Sequence, residues 1–180
     1  MNDTVLDFET IHEEFRSKIQ HYLARMVGEF EAEDLTQEVF LRVDRALATF
    51  KGDSRLSTWV YRIATNAALD RLRSPAFKYG AWDGLPADLG EDQESVQAET
   101  PSPEDQLFHQ ERVACYCDFV GALPVNYRTV VALSELEDLA VGEIAEILGL
   151  SEQVVKIRLH RGRARLIREL KSHCKPEDWL

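Results

Sequence analysis

The sequence has few cysteines and lacks the long apolar segment that a membrane span requires. Three cysteines among 180 residues are an odd number with no C-x-x-C pair, which argues against a disulfide framework and against a zinc ribbon. No uncharged apolar run approaches the roughly 18 residues that a membrane span requires. The acidic start Met1-Asn2-Asp3 also differs from the basic, then apolar start of a signal peptide. We therefore expect a cytoplasmic protein with reduced thiols and no direct membrane insertion.

Motifs of catalysis and cofactor binding are missing as well. The five histidines are scattered, no nucleophile lies at a workable spacing from a base, and the sequence has no phosphate-binding glycine loop. The sequence therefore predicts no enzyme, no catalytic residue, no metal and no cofactor. One alternative is a metal or redox sensor built from Cys115, Cys117, Cys174, His109 and His173. It is disfavoured because Cys115 and Cys117 would lie about 200° apart on a helix and could not share one metal ion.

Acidic residues outnumber basic ones, and the net charge of -11 would by itself argue against a nucleic-acid partner. The charge is segregated along the chain, however. Residues 151–171 carry seven basic side chains against two acidic ones, and residues 51–73 carry five against two. Residues 76–110 carry eight acidic side chains against one basic one. Two basic segments of an otherwise acidic chain are therefore candidates for contact with nucleic acid.

The acidic segment divides the chain into two parts. Residues 76–110 contain three glycines and three prolines with almost no apolar periodicity, which indicates a flexible linker between separately packed units at residues 1–75 and 111–180. In the first unit, apolar residues recur at helical spacing and predict three helices. They are Ile11, Phe15, Ile19, Leu23 and Met26, then Leu35, Val39, Val43 and Leu47, then Val60, Ile63, Ala64 and Ala67. The third helix should begin near Ser57, whose hydroxyl can cap it, and end before Ser74.

The second unit is predicted to be helical too. Its first helix carries an apolar stripe with the spacing i, i+3, i+4, i+7, and another helix spans Asn126 to Glu137. The stripe consists of Val113, Tyr116, Cys117 and Val120. No segment of the sequence shows the strict alternation of a strand.

Residues 141–155 predict a helix-turn-helix. Gly149 can end the first helix in a left-handed conformation, and Ser151 can cap the second. The core side of the first helix consists of Val141, Ile144, Ala145 and Leu148. The predicted fold class is therefore all-α: two small helical domains joined by a flexible acidic linker, the C-terminal one with a helix-turn-helix.

The second helix of this motif is two-sided. A face about 80° wide, at 100° per residue, consists of Val155, Leu159, Gly162, Leu166 and Leu170. The opposite face consists of Gln153, Lys156, Ile157, His160 and Arg161. A tight Gly-Leu-Ser turn ahead of a basic helix favours recognition of a DNA major groove over a plain solvated surface helix.

Long, ordered motifs connect the chain to a known family. The stretch from Glu33 to Val43, the loop from Phe50 to Ser54 and the helix from Ser57 to Arg73 closely resemble the extracytoplasmic-function sigma factors of bacterial RNA polymerase. The dipeptide Leu123-Pro124 and the stretch from Glu143 to Arg163 resemble region four of the same family. The resemblance covers nearly the whole chain except the linker and is more specific than a helix-turn-helix alone.

Two positions depart from the pattern of the family. Asp44 stands where an aromatic residue is frequent, and Gly162 stands where alanine is usual. We expect Gly162 to loosen the recognition helix by roughly 1 kcal/mol relative to alanine.

The resemblance implies three binding sites. Docking on the coiled coil of the polymerase β′ subunit is implied for Asp34, Gln37, Glu38 and Leu41. Contact with the minus-ten element is implied for Phe50, Lys51, Gly52, Asp53, Ser54, Arg55, Arg62, Asn66 and Arg71. Contact with the minus-35 element is implied for Gln153, Lys156, Ile157, Arg158, His160, Arg161 and Arg163. Tyr61 and Trp59 are candidates for stacking on DNA, although a core position is favoured for Trp59.

The implied function is promoter-specific initiation of transcription. The partners are core RNA polymerase, through its β′ and β subunits, promoter DNA and a controlling anti-sigma factor. The acidic linker is implied to thread into a basic polymerase channel that holds RNA, with a solvated tether as the alternative. A second function class is a stand-alone helix-turn-helix regulator, which would bind duplex operator by itself. We expect the isolated protein to bind promoter duplex poorly, because its net charge is -11.

Overall fold

A computed structural model describes residues 7–75, 116 and 118–173. The predicted linker at residues 76–110, all three cysteines, His109 and Val113 lie outside the described residues. What the sequence indicates about the linker and about a cysteine sensor therefore stays a prediction.

The described residues form helices joined by short turns, which confirms the all-α fold class. The N-terminal half contains α1 (Phe8–Val27), α2 (Glu29–Leu47) and α3 (Leu56–Arg73). The C-terminal half contains α4 (Val125–Val131), a π-helical turn (Ala132–Leu136), α5 (Val141–Leu148) and α6 (Glu152–His173). None of the helices that the structure describes combines the length and the apolar character of a membrane span.

The three N-terminal helices pack along the stripes that the spacing predicts. The buried members are Ile11, Phe15, Ile19, Leu23, Met26, Leu35, Val39, Val43, Val60, Ala64 and Ala67, with Leu47 and Ile63 partly buried. Asp7 caps α1 by accepting from the Thr10 amide at 2.7 Å. Gly28 has a φ of 92°, which lets α1 end and α2 begin without a loop.

The predicted start of α3 near Ser57 is confirmed to within one residue, but the predicted Ser57 cap is wrong. The helix begins at Leu56, so Arg55 occupies the cap position and Ser57 lies inside the first turn. No described side chain caps this end; the carbonyl of Arg55 accepts from the Trp59 amide at 3.0 Å. The predicted stop is confirmed, because Ser74 is the C-cap.

The predicted helix from Asn126 to Glu137 is two pieces. The α-helical piece ends at Val131, and the backbone then widens into the π-helical turn, whose last bond runs from the Glu137 amide to the Ala132 carbonyl at 3.2 Å. Asp138 follows with a φ of 52° and turns the chain toward α5. Glu137 is thereby set at the end of a wide turn.

The helix-turn-helix is confirmed in its details. Gly149 ends α5 in the left-handed conformation, with a φ of 62°, and Ser151 Oγ accepts from the Val154 amide at 3.3 Å. On α5, Ile147 is buried along with the predicted Ile144 and Ala145. The other two predicted core residues, Val141 and Leu148, are partly buried and pack against the core.

The expectation that Gly162 merely loosens α6 is incomplete. A β-carbon at this position would lie 2.8 Å from Val131 Cγ2 and 3.3 Å from Tyr127 Cβ. Both neighbours belong to α4, so the missing side chain lets α4 and α6 approach closely. Glycine is therefore a packing residue here.

The two halves touch each other, a contact that the sequence analysis did not predict. Arg128 of α4 donates to the carbonyl of Met26 at 2.7 Å and to the carbonyl of Leu123 at 3.1 Å. Burial lowers the pKa of the Arg128 guanidinium below its usual value. Residues of α3 also pack against α5. The buried apolar side chains of both halves join in one cluster.

Candidate nucleic-acid interface

The outward face of α6 is open. Its members are Gln153, Lys156, Ile157 and His160, which are exposed, and Arg161, which is partly buried. Ile157 keeps 43% of its surface exposed. Lys156 Nζ lies 3.3 Å from Glu152 Oε2 in an exposed i, i+4 pair, which contributes little and is easily broken. This face presents hydrogen-bond donors and an apolar side chain to one side, as a helix that enters a major groove does.

Two arginines predicted for the same contact lie at the edge of this face or beyond it. Arg158 is about 140° round the helix from Gln153 and is partly buried. Arg163 Nε donates to Glu135 Oε1 at 2.8 Å, which joins α6 to the π-helical turn. The structure therefore brings the other predicted residues of α6 together and leaves these two on the flanks.

A second basic face runs along α3. Arg55, Arg62 and Asn66 fall within about 40° of each other, because their spacings of seven and four residues are close to whole helical turns. Asn66 is exposed. The exposed Arg73 continues this face by a further two turns; the sequence analysis missed it, although the same spacing would have found it.

Carboxylates of α5 pair with two arginines of this second face. Arg55 Nη1 donates to Glu143 Oε1 at 3.1 Å, and Arg62 Nη2 donates to Glu146 Oε1 at 2.8 Å. Arg62 Nη2 also donates to the carbonyl of Glu146 at 3.0 Å. Two residues predicted to meet promoter DNA thus have partners within the chain.

The loop before α3 is open in its first half. Lys51, Gly52 and Asp53 are exposed and Ser54 is partly buried. Gly52 has a φ of 75°, a conformation that residues with a β-carbon rarely adopt. Phe50 lies against Trp59 with ring centroids 4.8 Å apart. The loop is therefore held at its start by an aromatic pair and projects its small residues outward.

Arg71 does not join the α3 face. It forms ion pairs across to α2, with Glu31 and with Glu38, the latter at 3.5 Å. Arg71 lies about 160° round the helix from Arg55. The structure places it as a strut between α2 and α3, in contrast to its predicted contact with DNA.

The two aromatic residues of α3 that were candidates for stacking on DNA, Tyr61 and Trp59, are buried to different degrees. Tyr61 is buried: its ring packs edge-on against Tyr22 at 5.6 Å, and its hydroxyl donates to Glu137. Trp59 is partly buried and packs against the core. Burial raises the pKa of the Glu137 carboxyl to about 7, while the bond from Tyr61 and the charge of Lys18 oppose that shift. Burial and Glu137 together raise the pKa of the Tyr61 hydroxyl above its usual value.

The outward face of α2 is open and contains a residue that the sequence analysis missed. Asp34, Gln37 and Leu41 are exposed within about 60° of each other, and Phe30, one turn earlier, is 94% exposed. The i, i+4, i+7, i+11 spacing from Phe30 would have found it. The fourth predicted residue, Glu38, lies at the edge and is paired with Arg42 and Arg71.

Two protein families match one half of the chain each, and known proteins match both halves together. The Sigma-70 region 2 family matches residues 11–76, and the Sigma-70, region 4 family matches residues 118–166. The ECF RNA polymerase sigma factor SigW of Bacillus subtilis is 35% identical over 167 residues, which cover 92% of this chain and 89% of that protein. The chain belongs to the extracytoplasmic-function sigma factors. The ECF RNA polymerase sigma-E factor of Escherichia coli K12 is 32% identical over 83% of this chain and 78% of its own length.

Solved structures support the fold of this sigma factor. The sigma factor RpoE of Bartonella quintana, in a complex with the anti-sigma factor NepR, superposes with a TM-score of 0.67 at 21% identity, over 94% of this chain and 99% of that one. CnrH, in a complex with the cytosolic domain of CnrY, superposes with a TM-score of 0.63 at 23% identity, over 92% and 88% of the two chains. At these identities the likeness concerns the fold alone.

Membership of this family confirms the resemblance and the class of function. A sigma factor directs RNA polymerase to promoters and is an initiation factor, not an enzyme. This decides against a stand-alone regulator. Among the described side chains, no group of three or more His, Cys, Asp or Glu could hold a metal ion.

Proposed function

We propose that this sigma factor reads the minus-35 element with the outward face of α6 and the minus-ten element with α3 and the loop before it. The observation that carries the proposal is the open side of α6, whose opposite side is packed against α4 and α5. A helix held from behind, after a tight turn, can enter a major groove with its N-terminal residues foremost. Lys156 and Arg161 can donate to guanine edges or phosphates there, and Ile157 can contact a thymine methyl.

The test replaces the two cations of this face. Lys156→Ala with Arg161→Ala should lower transcription from the native promoter at least about tenfold, because each contact to a base or phosphate contributes roughly 1–3 kcal/mol. Arg168→Ala with Lys171→Ala removes the same charge at the far end of the same helix and should change transcription less than about twofold. Equal effects of the two pairs, or none from the first, would refute the assignment of α6.

Docking on core polymerase belongs to the open face of α2 in this proposal. Asp34, Gln37 and Leu41 present polar and apolar groups together, and Phe30 adds an exposed ring at the end of the same face. Large apolar side chains that stay exposed commonly mark protein interfaces. The partner is the coiled coil of the β′ subunit, as the family resemblance implies.

Control by an anti-sigma factor and a cytoplasmic location complete the proposal. Both fit a protein that must bind polymerase only when a signal demands it, and the sigma factor RpoE of Bartonella quintana, solved with the anti-sigma factor NepR, shares its fold. The test for control is a transcription assay with purified core polymerase and the product of the adjacent gene. Inhibition that excess sigma factor relieves is expected; full activity at any ratio would remove that gene product as the regulator.

A further inference from the structure

The contact between α3 and the C-terminal half has a chemical pattern. Four polar donors along one side of α3 meet a glutamate: Arg55 and Thr58 meet Glu143, Tyr61 meets Glu137, and Arg62 meets Glu146. Thr58 Oγ1 lies 3.4 Å from Glu143 Oε1. These three glutamates, which we call the acidic strip, come from α5 and from the end of the π-helical turn. Over about two helical turns, from Arg55 to Arg62, this side of α3 therefore faces carboxylates.

Carboxylates take the positions that phosphates would occupy on nucleic acid. Arginine binds both groups through the same charge-assisted hydrogen bonds. Arg55 and Arg62 lie on the face that the proposed function assigns to the minus-ten element. Because α5 packs on α3, DNA and the acidic strip compete for these two guanidinium groups.

The strip is suited to reversible binding. The Arg55–Glu143 pair has side chains 79% and 17% exposed, and the Arg62–Glu146 pair has side chains 38% and 44% exposed. Exposed pairs of this kind are weak and are screened by salt. The outward faces of α2 and α6, in contrast, have no part of the strip over them.

We propose that the acidic strip of Glu137, Glu143 and Glu146 is an intramolecular binding surface for the minus-ten face of α3 and excludes promoter DNA from it in the free protein. The inference rests on the proposed function of α3. Since the faces of α2 and α6 stay open, docking on polymerase and contact with the minus-35 element can precede the separation of the halves. Only the step that engages the minus-ten strand requires separation.

The test measures binding of a fluorescent single-stranded oligonucleotide with the minus-ten sequence to the free, full-length protein. Glu143→Gln with Glu146→Gln should tighten binding about fivefold or more, because two weak ion pairs no longer compete. Glutamine keeps an oxygen that can accept from the Ala140 amide, as Glu143 Oε2 does at 2.9 Å, so α5 keeps its cap. Solution scattering of the same variant should show a larger radius of gyration.

The matched control separates the strip from overall charge. Glu13→Gln with Glu14→Gln removes two exposed carboxylates from α1, away from the contact, and should change oligonucleotide affinity less than about twofold. Equal gains in both pairs, or an unchanged affinity and radius in the first, would overturn the proposal.

A second readout separates this inference from the proposed function. In the open complex, where this proposal requires the halves to be apart, Glu143→Gln with Glu146→Gln should leave contact with the minus-ten element unchanged. If Arg55→Ala with Arg62→Ala impairs holoenzyme while the glutamine variants bind the oligonucleotide like the parent protein, the strip is wrong and the function of α3 stands. If the arginine variants leave holoenzyme unaffected, the function assigned to α3 fails.

Discussion

The basic faces of α3 and α6 look alike in the sequence and differ in the folded chain. Both carry cations at helical spacing, and both are assigned to promoter DNA. On α6 the outward residues meet solvent, apart from the weak Lys156–Glu152 pair along the helix itself. On α3 the two leading arginines meet carboxylates of another helix. The α6 face is open to DNA, whereas Arg55 and Arg62 of the α3 face already pair with glutamates of the same chain.

The function of a basic face therefore depends on which groups lie opposite it in the folded chain. The charge of α3 attracts phosphate in an open protein and glutamate in a closed one, and the geometry of the two halves decides which. In the proposed function, the outward face of α6 contacts the promoter first, and the α3 face contacts it after the halves separate.

The largest expected effect comes from the covered face. Arg55→Ala with Arg62→Ala should lower formation of the open complex by holoenzyme roughly tenfold or more, because charged contacts to the minus-ten strand are lost. Holoenzyme binding to a minus-35 duplex should stay within about twofold. Permanganate footprinting measures the first quantity and a fluorescence anisotropy titration measures the second.

A charge-matched pair controls this experiment. Arg16→Ala with Lys171→Ala removes two exposed cations that lie outside the α3 face and the outward face of α6. This variant should leave open-complex formation nearly unchanged. A loss of minus-35 binding in the Arg55 and Arg62 variant would show that the α3 and α6 faces do not bind separate promoter elements.

The position of α6 depends on how closely the side opposite its open face packs against α4. Gly162→Ala should lower the free energy of unfolding by about 1 kcal/mol, because a methyl group 2.8 Å from Val131 Cγ2 overpacks the contact and outweighs the gain in helix propensity. Gly142→Ala in α5 is the matched control, since its new methyl would meet only Glu152 Oε1 at an ordinary 3.5 Å. It should stabilise the protein by about 0.5 kcal/mol. Chemical denaturation checks both; a more stable Gly162→Ala protein would contradict the packing role.

The smallest expected effect is a pH dependence of the covered face. The pKa of Glu137 is about 7 in the closed contact, where burial raises it, and returns to its ordinary 4.5 when the halves separate. The closed form therefore binds the proton more tightly, so its stabilisation is complete below pH 4.5 and is lost as the pH rises through 7. Oligonucleotide binding to the free protein should strengthen a few-fold from pH 6 to pH 8, by no more than about tenfold per pH unit for one proton.

Several charged or titratable groups face Glu137, and one variant isolates its contribution. Tyr61 approaches it from α3, and Lys18 and Tyr22 act on it from α1. Glu137→Gln stays neutral at every pH and should remove the dependence while keeping the contact closed at pH 8. A dependence that persists in this variant would assign the titration to another group.

Much of the fold was predictable because its signals are local. The buried stripes of α1, α2 and α3 follow from apolar residues three and four positions apart, and Gly149 with Ser151 defines the turn of the helix-turn-helix. The open face of α6 follows from the same 100° period. Such patterns depend on neighbours within a few residues, which the sequence displays directly.

Spacing and residue type along the chain were thus enough to predict most of the helices, the family and the two basic faces, although the helix expected from Asn126 to Glu137 ends at Val131. Tertiary structure alone decided that Arg71 braces α2, that Arg163 pairs with Glu135, and that Gly162 makes room for α4. It also decided that α3 meets the acidic strip, through side chains 76 to 88 residues apart in the chain. The physical reason is that charge and spacing specify what a helix face can bind, whereas the packing of distant segments specifies which partner reaches it first.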